Sequence, residues 1–210
     1  MYFNRKEYMR LLGVIFLFVF SYLHAATHQL KLADVRNSME EMFTYHVESR
    51  EITPTVIKRS FKNYVEQFDG QKIYFTYGEV KPFFEINTTQ IEHVIDHYFA
   101  DEYPEFKALN KSIGQAIMRA RAWRQEFYND FILNGESVET EPYEKNSKQY
   151  AKSTAKLKER LRAQLMQLFK MENKSQDPNF WNEERRQKIC KLYEKRFSHF
   201  ESKFDSDDEH

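Results

Sequence analysis

The chain has 210 residues, and its 32 lysines and arginines are matched by 32 aspartates and glutamates, so the formal net charge is zero. This balance gives no overall attraction to nucleic acid or anionic lipid, and we predict neither as a partner. The 19 phenylalanines and 13 tyrosines, with only 5 glycines and 5 prolines, are typical of a helical protein with an aromatic core, and the lone Cys190 excludes an intramolecular disulfide.

Residues 1 to 26 have the three parts of a secretory signal peptide. Three basic residues in the first ten positions precede an apolar run from Leu11 to about Leu23, and the small residues Ala25 and Ala26 follow. The run is shorter than the roughly 20 residues that a membrane-spanning helix needs. We therefore expect cleavage after Ala25 or Ala26 and export across the inner membrane, with an uncleaved membrane anchor as the alternative.

Two helices are predicted next, from about Leu32 to Val47 and from Pro54 to Phe68. Thr53 can cap the second, because its hydroxyl can accept from an unpaired amide and Pro54 lacks an N–H that the first turn would not pair. Asp69-Gly70 should end it, since glycine tolerates a left-handed conformation. The expected apolar faces are Leu32, Val35, Met39, Met42, Phe43 and His46 in the first helix, and Ile57, Phe61, Tyr64, Val65 and Phe68 in the second.

Three further elements follow before the middle of the chain. A short extended piece, Lys72 to Phe75, leads into a helix with a Thr76/Glu79 capping box and Val80, Phe83 and Phe84 as its buried face. Asn87 should cap another helix, with Ile91, Val94, Ile95, Tyr98 and Phe99 on its apolar stripe. A long helix is predicted from Pro104 to about Leu133. Its inward-facing residues would be Phe106, Leu109, Ile113, Ile117, Ala120, Trp123, Phe127 and Phe131.

The last third of the chain is predicted to hold a loop and two helices. Asn134 to Asn146 has four glutamates and no apolar face, so it should be an exposed, poorly protected loop. A helix from about Ser147 to Glu172 would bury Tyr150, Leu157, Leu161, Leu165, Leu168 and Phe169. A final helix from Asp177-Pro178 would bury Phe180, Trp181, Ile189, Leu192, Tyr193, Phe197, Phe200 and Phe204. The sequence therefore predicts an all-α, irregular multi-helix bundle over residues 27–204, with a disordered acidic tail at 205–210.

Few residues carry a pattern typical of catalysis or metal binding. His93 and His97 are four apart beside Glu92 and Asp96, a spacing that can hold a divalent metal, but the apolar stripe faces the other way and a solvated surface is the preferred interpretation. Two serine–lysine pairs, Ser60 with Lys62 and Ser153 with Lys156, lack the glycine-rich backbone that would form an oxyanion hole. Cys190 should be a buried structural thiol.

Basic residues cluster on two predicted helices. The run Lys145, Lys148, Lys152, Lys156, Lys158, Arg160 and Arg162 could bind RNA or lipid, but glutamates interrupt it. A solvated helix surface is the preferred interpretation of that run, and also of Arg119, Arg121 and Arg124.

One region resembles a known family. The sequence YVEQFDGQKIYF, followed by TYGEVKPFF, is similar to the N-terminal helical domain of bacterial tail-specific proteases, also called C-terminal processing proteases. In that family a helix with a tyrosine and an aspartate leads through an extended run into a capped helix. The resemblance follows the order of elements from about Leu32 to about Phe204.

The resemblance implies a periplasmic domain with a scaffolding or partner-docking role in proteolysis. The family's Ser-Lys peptidase lies in a separate domain after a PDZ module, so we predict no catalytic residue, no cofactor, no metal and no enzyme activity in this chain. The expected partners are proteins: a protease core, an adaptor or an unfolded substrate. The alternative hypothesis is an independent secreted helical module that binds another protein.

Overall fold

The computed structural model describes residues 34–45, 51–135, 149–172 and 181–204. Within these ranges the chain forms seven α-helices and no β-strand, which confirms the predicted all-α class. The helices are α1 (Val35–Tyr45), α2 (Pro54–Phe68), α3 (Tyr77–Phe84), α4 (Thr88–Phe99), α5 (Pro104–Asn134), α6 (Thr154–Glu172) and α7 (Glu183–Glu201). None of these helices is both long enough and apolar enough to cross a bilayer.

Several predicted segments lie outside the described residues. They are the signal peptide at 1–26, the start of the first helix at Leu32 and its end beyond Tyr45, and the loop after Gly135. The others are the first two residues of the helix predicted from Ser147, the start of the last helix at Asp177-Pro178 with Phe180, and the acidic tail at 205–210.

The N-caps that the sequence predicts are present. The Thr53 hydroxyl accepts a hydrogen bond from Val56 N at 3.2 Å. The Asn87 side chain accepts from Gln90 N at 2.9 Å, while the Gln90 side chain accepts from Asn87 N at 3.0 Å. These reciprocal bonds pair amides that the first helical turn leaves without partners, and they fix where α2 and α4 begin.

The helices pack as two groups around one aromatic core. Helix α2 packs against α3 and α4, and the long α5 packs against α6 and α7. Phe61, Phe127, Phe131 and Phe169 are fully buried, and the Phe131 and Phe169 rings lie 4.8 Å apart. The predicted inward positions of α5 from Leu109 to Phe131 are buried, with Trp123 partly so. The predicted aromatic core is therefore confirmed.

Three residues assigned to apolar faces are instead exposed: Met42, Phe99 and Leu192 have exposed fractions of 62%, 57% and 39%. Each lies at the edge of its helical stripe, where helical spacing alone does not decide burial. Phe99 is the last residue of α4, and its backbone carbonyl accepts a hydrogen bond from Arg36.

Helix α6 begins at Thr154, seven residues later than predicted. Ala151, which precedes it, forms a parallel bridge with Thr76, and Tyr77 N donates to Ala151 O at 2.8 Å. Pairing with the start of α3 therefore holds this stretch out of the helix. Tyr150 consequently packs on Phe84 from a loop, with ring centroids 5.9 Å apart.

Gly70 does not adopt the left-handed conformation predicted for it; that conformation belongs to Lys72, with φ 54°. The glycine is needed for a different reason, because a Cβ at position 70 would lie 3.0 Å from the backbone oxygen of Glu66. The chain therefore turns tightly against the end of α2 and redirects at Lys72. This turn leads into the polar network described next.

Candidate functional site

The segment between α2 and α3 wraps around one carboxylate, that of Asp69. Asp69 is only 1% exposed. Its Oδ1 accepts from Ile73 N at 2.7 Å and Tyr74 N at 3.2 Å, and its Oδ2 accepts from Phe75 N at 2.9 Å. The extended piece predicted at Lys72 to Phe75 is therefore an irregular loop, whose three successive amides are held by a side chain instead of a neighbouring strand.

Burial raises the pKa of Asp69 from 3.8 to about 7. The three backbone amides and the nearby charge of Lys72 act in the opposite direction, because each favours the ionised form. Desolvation outweighs them, since the carboxyl is removed almost completely from water. Asp69 therefore titrates in a range where an exposed aspartate would already be ionised.

The contribution of Asp69 to the stability of the protein is expected to fall as the pH rises from about 4 to about 7, because folding raises the pKa of Asp69. Over this range the folded protein keeps a proton that the unfolded chain has released, so a rise in pH favours the unfolded chain. The variant Asp69→Asn has no titrating group there and should show a smaller change. Urea unfolding of both proteins across this range measures the difference, and parallel pH profiles would contradict the expectation.

A second cluster joins the start of α3 to α5. The predicted capping box is present, since Thr76 N donates to Glu79 Oε2 at 2.8 Å. Arg119 donates to both carboxylate oxygens of Glu79, at 2.6 and 3.1 Å, and to the carbonyl of Tyr74 at 2.6 Å. Although burial raises the pKa of Glu79, the bonds from Arg119 and Thr76 lower it below its ordinary value. The same glutamate therefore caps α3 and anchors α3 to α5.

The third cluster is a fully buried ion pair between α5 and α7. Arg124 and Glu201 are both 0% exposed. Arg124 Nη1 donates to Glu201 Oε1 at 2.7 Å, and Arg124 Nε donates to Glu194 Oε2 at 2.9 Å. The guanidinium also lies 4.6 Å from the centre of the Phe197 ring. Burial lowers the pKa of Arg124, but the bonds to both glutamates outweigh it, so the net shift is upward.

Glu201 accepts two further hydrogen bonds. Tyr74 Oη donates to Glu201 Oε1 at 3.0 Å, and Arg121 Nε donates to Glu201 Oε2 at 2.8 Å. Burial, together with the charge of Glu201, raises the pKa of Tyr74 above its ordinary value. The carboxylate of Glu201 thus bonds to both α5 and the loop after α2. We call the set Asp69, Tyr74, Arg124, Glu194 and Glu201 the buried polar network.

The expectation that Arg119, Arg121 and Arg124 form a solvated surface is wrong. Arg124 is fully buried, and the side chains of Arg119 and Arg121 are only 25% and 38% exposed. The position of Arg124 in α5 carried a signal for this, since it lies four residues after Ala120 and three before Phe127, on the apolar face. A charge on that face requires a buried partner.

A surface pocket of about 530 Å³ lies beside the network. Asp69 and Tyr74 form part of its wall, with Phe197 and Phe200 from α7 and Leu168 from α6. The network therefore fixes the position of one wall of this pocket.

His93 and His97, the residues considered for metal binding, have different surroundings in the structure. His93 is exposed, whereas His97 Nδ1 lies 2.9 Å from Glu105 Oε1. Among the described residues there is no group of three or more histidine, cysteine, aspartate or glutamate side chains placed to hold an ion. His97 instead joins α4 to α5.

The two serine–lysine pairs are part of ordinary helical structure. Ser60 Oγ donates to Val56 O at 2.9 Å, and Lys62 lies 3.8 Å from Glu66 on the exposed side of α2. The Ser153 hydroxyl accepts from Lys156 N at 3.3 Å, at the start of α6. The Ser60 hydroxyl is thus engaged by a backbone carbonyl, and the Ser153 hydroxyl accepts at the start of α6. A Ser-Lys mechanism would instead require each serine to bond to a neutral lysine.

Cys190 and the basic residues of α6 also have structural roles. Cys190 is buried, and burial raises the pKa of its thiol to about 12, which keeps it protonated. Arg162 pairs with Asp130 of α5 at 3.1 Å, and Arg160 donates to the carbonyl of Lys72 at 3.0 Å. The basic run is thus only partly a solvated surface, because these two arginines connect α6 to its neighbours.

Comparison with protein families identifies the family of the chain. A family model described as the tail specific protease N-terminal domain matches residues 38–209, which is most of the chain. No curated protein matches. The matched range includes the whole buried polar network.

Proposed function

The chain belongs to the tail-specific protease N-terminal domain family, and from this membership we propose that it acts in proteolysis as a non-catalytic scaffold that docks a protein partner. The partner would be a protease core, an adaptor or an unfolded substrate. The observation that carries the proposal is the family match, which extends over residues 38–209.

The chemistry of the described residues supports a scaffold over an enzyme. Three strongly perturbed groups have structural partners: Asp69 accepts from backbone amides, whereas Arg124 and Tyr74 both donate to Glu201. These bonds connect α5, α7 and the loop after α2. Perturbed ionisable groups often mark catalytic sites, but structural ion-pair networks perturb pKa values in the same way. A rigid frame of this kind suits a domain that presents a fixed surface to a partner.

We also propose that the domain acts in the periplasm. The support is the sequence of residues 1 to 26, where a basic start, a short apolar run and small residues match a secretory signal. Intact-mass analysis of protein extracted from cells would show whether the chain begins at Met1.

An independent helical module that binds another protein is a second candidate. It is favoured by exposed apolar side chains around the first helix, where Met42, Tyr45 and Phe99 are 62%, 81% and 57% exposed. The nucleotide sequence following His210 separates the two hypotheses, because a reading frame for a PDZ module and a peptidase there would support the protease hypothesis.

The purified chain is expected to cleave no peptide by itself, and to alter cleavage when a complete tail-specific protease from the same source is present. The expectation follows from Ser60 and Ser153, whose hydroxyls bond to the backbone of α2 and α6. The measurement is the rate of cleavage of an unfolded substrate with an apolar C-terminus, with the chain alone, the protease alone, and both.

Two variants control this experiment. Arg124→Ala should destabilise the domain strongly. At a temperature at which this variant is unfolded and the unaltered chain is folded, it should have no effect on the protease, which shows that the folded surface is required. Ser60→Ala and Ser153→Ala should change nothing. Cleavage by the chain alone that disappears in one serine variant would overturn the non-enzyme proposal, and an unchanged protease rate would overturn the docking role.

A further inference from the structure

A second pocket, of about 340 Å³, lies among α1, α2, α4 and the start of α5, away from the buried polar network. Its size is within the range of about 300–1,000 Å³ that is typical of small-molecule sites. The walls are mainly apolar and come from all four helices and the segment before α2: Val35, Met39, Ile52, Val56, Ile57, Val94 and Phe106.

Three residues that line this pocket carry a buried polar atom without a hydrogen-bond partner among the residues that the structure describes. The atoms are Tyr98 Oη, Tyr103 Oη and Glu105 Oε2. Tyr98 is only 6% exposed, and the other carboxylate oxygen of Glu105 is already engaged by His97 at 2.9 Å. An unpaired buried acceptor of this kind costs about 1–3 kcal/mol in a folded protein. A ligand that supplies N–H donors would recover that cost.

The charge of the residues that line the pocket favours a cationic hydrogen-bond donor. Among the described residues that line it, the charged ones are Glu102 and Glu105, both acidic. The neighbouring cation, Arg36, is not among the lining residues and is paired with Asp101 at 2.9 Å and with the carbonyl of Phe99 at 2.8 Å. An anionic ligand would meet like charge without compensation, whereas a cationic head would meet an unpaired carboxylate oxygen.

We propose that this pocket binds a small amphipathic amine. The ammonium head donates to Glu105 Oε2 and to the Tyr98 oxygen, and the apolar body lies between α2 and α4, against Val56 and Val94. Charge-assisted bonds to a carboxylate are stronger than neutral ones, and they gain further where the acceptor atom is shielded from water, as Glu105 Oε2 is. Recognition thus combines one polar anchor with apolar contact.

The test compares three probes with the same six-carbon body: n-hexylammonium, hexan-1-ol and hexanoate. Backbone amide signals of Val56, Val94 and Phe106 are followed by NMR during titration of the whole chain. We expect n-hexylammonium to bind at least about tenfold more tightly than hexan-1-ol, since a desolvated charged bond exceeds a neutral one by about that factor. Hexanoate should bind no better than the alcohol.

Two variants test the anchor without altering the walls. Glu105→Gln and Tyr98→Phe should each reduce the preference for the ammonium over the alcohol several-fold while leaving hexan-1-ol binding unchanged. Tyr98→Phe should remain folded, because it removes a hydroxyl that has no partner. Glu92→Gln, on the exposed side of α4, is the matched control and should behave as the unaltered chain does.

The proposal is overturned if the three probes bind equally, if none binds, or if the preference for the ammonium survives Glu105→Gln. None of these outcomes bears on the proteolysis experiment, which is read out from protease rates and does not depend on this pocket. The two proposals can therefore fail separately.

Discussion

Replacing Arg124 with alanine is expected to lower the free energy of unfolding by about 3–5 kcal/mol. The variant leaves Glu201 fully buried, with Arg121 as its only remaining cation, and removes the bidentate partner of Glu194. Removing one member of a buried ion pair costs far more than the pair itself contributes, because the other charge stays in a low-dielectric interior. For a single domain this is a large part of the total stability.

Urea unfolding followed by circular dichroism measures the effect, and two comparisons sharpen it. Lys62→Ala removes an exposed partner of Glu66 and should cost no more than about 0.5 kcal/mol. The double variant Arg124→Leu with Glu201→Leu should cost less than the sum of the two single changes, because it removes both charges. An Arg124→Ala cost below about 1 kcal/mol would show that the pair is not buried in solution.

Sequence reasoning recovered the elements whose signals are local. The caps at Thr53, Asn87 and Thr76/Glu79 depend on side chains within four residues of the amides they pair, so their spacing is visible in the chain. The long α5 was predicted from its apolar spacing, and its end differs by one residue. In these elements, the residues that produce the structure are close together in the sequence, so their pattern can be recognised there.

Interactions between distant segments were missed for the opposite reason. Arg124 and Glu201 lie 77 positions apart, and each looks like an ordinary surface charge until its place on an apolar face is considered. Tyr74 and Glu201 are 127 positions apart and carry no local signal of their pairing. The late start of α6 likewise depends on the bridge between Ala151 and Thr76. Such features depend on packing between segments that are far apart in the sequence, and a short stretch of sequence does not show it.

The pairing of Asp69 with the loop after it is an intermediate case. The sequence placed an aspartate at the end of α2 and an extended run after it, but it assigned the turn to a left-handed Gly70. In the structure, Gly70 permits close approach to Glu66 O, and the carboxylate of Asp69 organises the loop. The residue types were informative, whereas their roles depended on geometry.

Asp69→Ala is expected to lower the free energy of unfolding by about 3 kcal/mol or more. The change removes both oxygens that accept from Ile73 N, Tyr74 N and Phe75 N, and each buried amide left unpaired costs about 1–3 kcal/mol. Asp69→Asn should cost less, because its one carbonyl oxygen can still accept from the pair of amides that now share Oδ1.

The effect should also extend beyond the loop, because Tyr74 links it to Glu201 and the carbonyl of Tyr74 accepts from Arg119. Hydrogen exchange of the Asp69→Ala variant should therefore show lost protection at the start of α3 as well as at residues 73–75. Asp96→Ala, at an exposed position of α4, is the control and should change neither stability nor exchange at these amides. Lost protection confined to residues 73–75 would mean that the loop is not coupled to α3. A stability loss equal to that of Asp96→Ala would mean that the amides of Ile73, Tyr74 and Phe75 find other partners, and that the carboxylate does not hold the loop that joins α2 to α3.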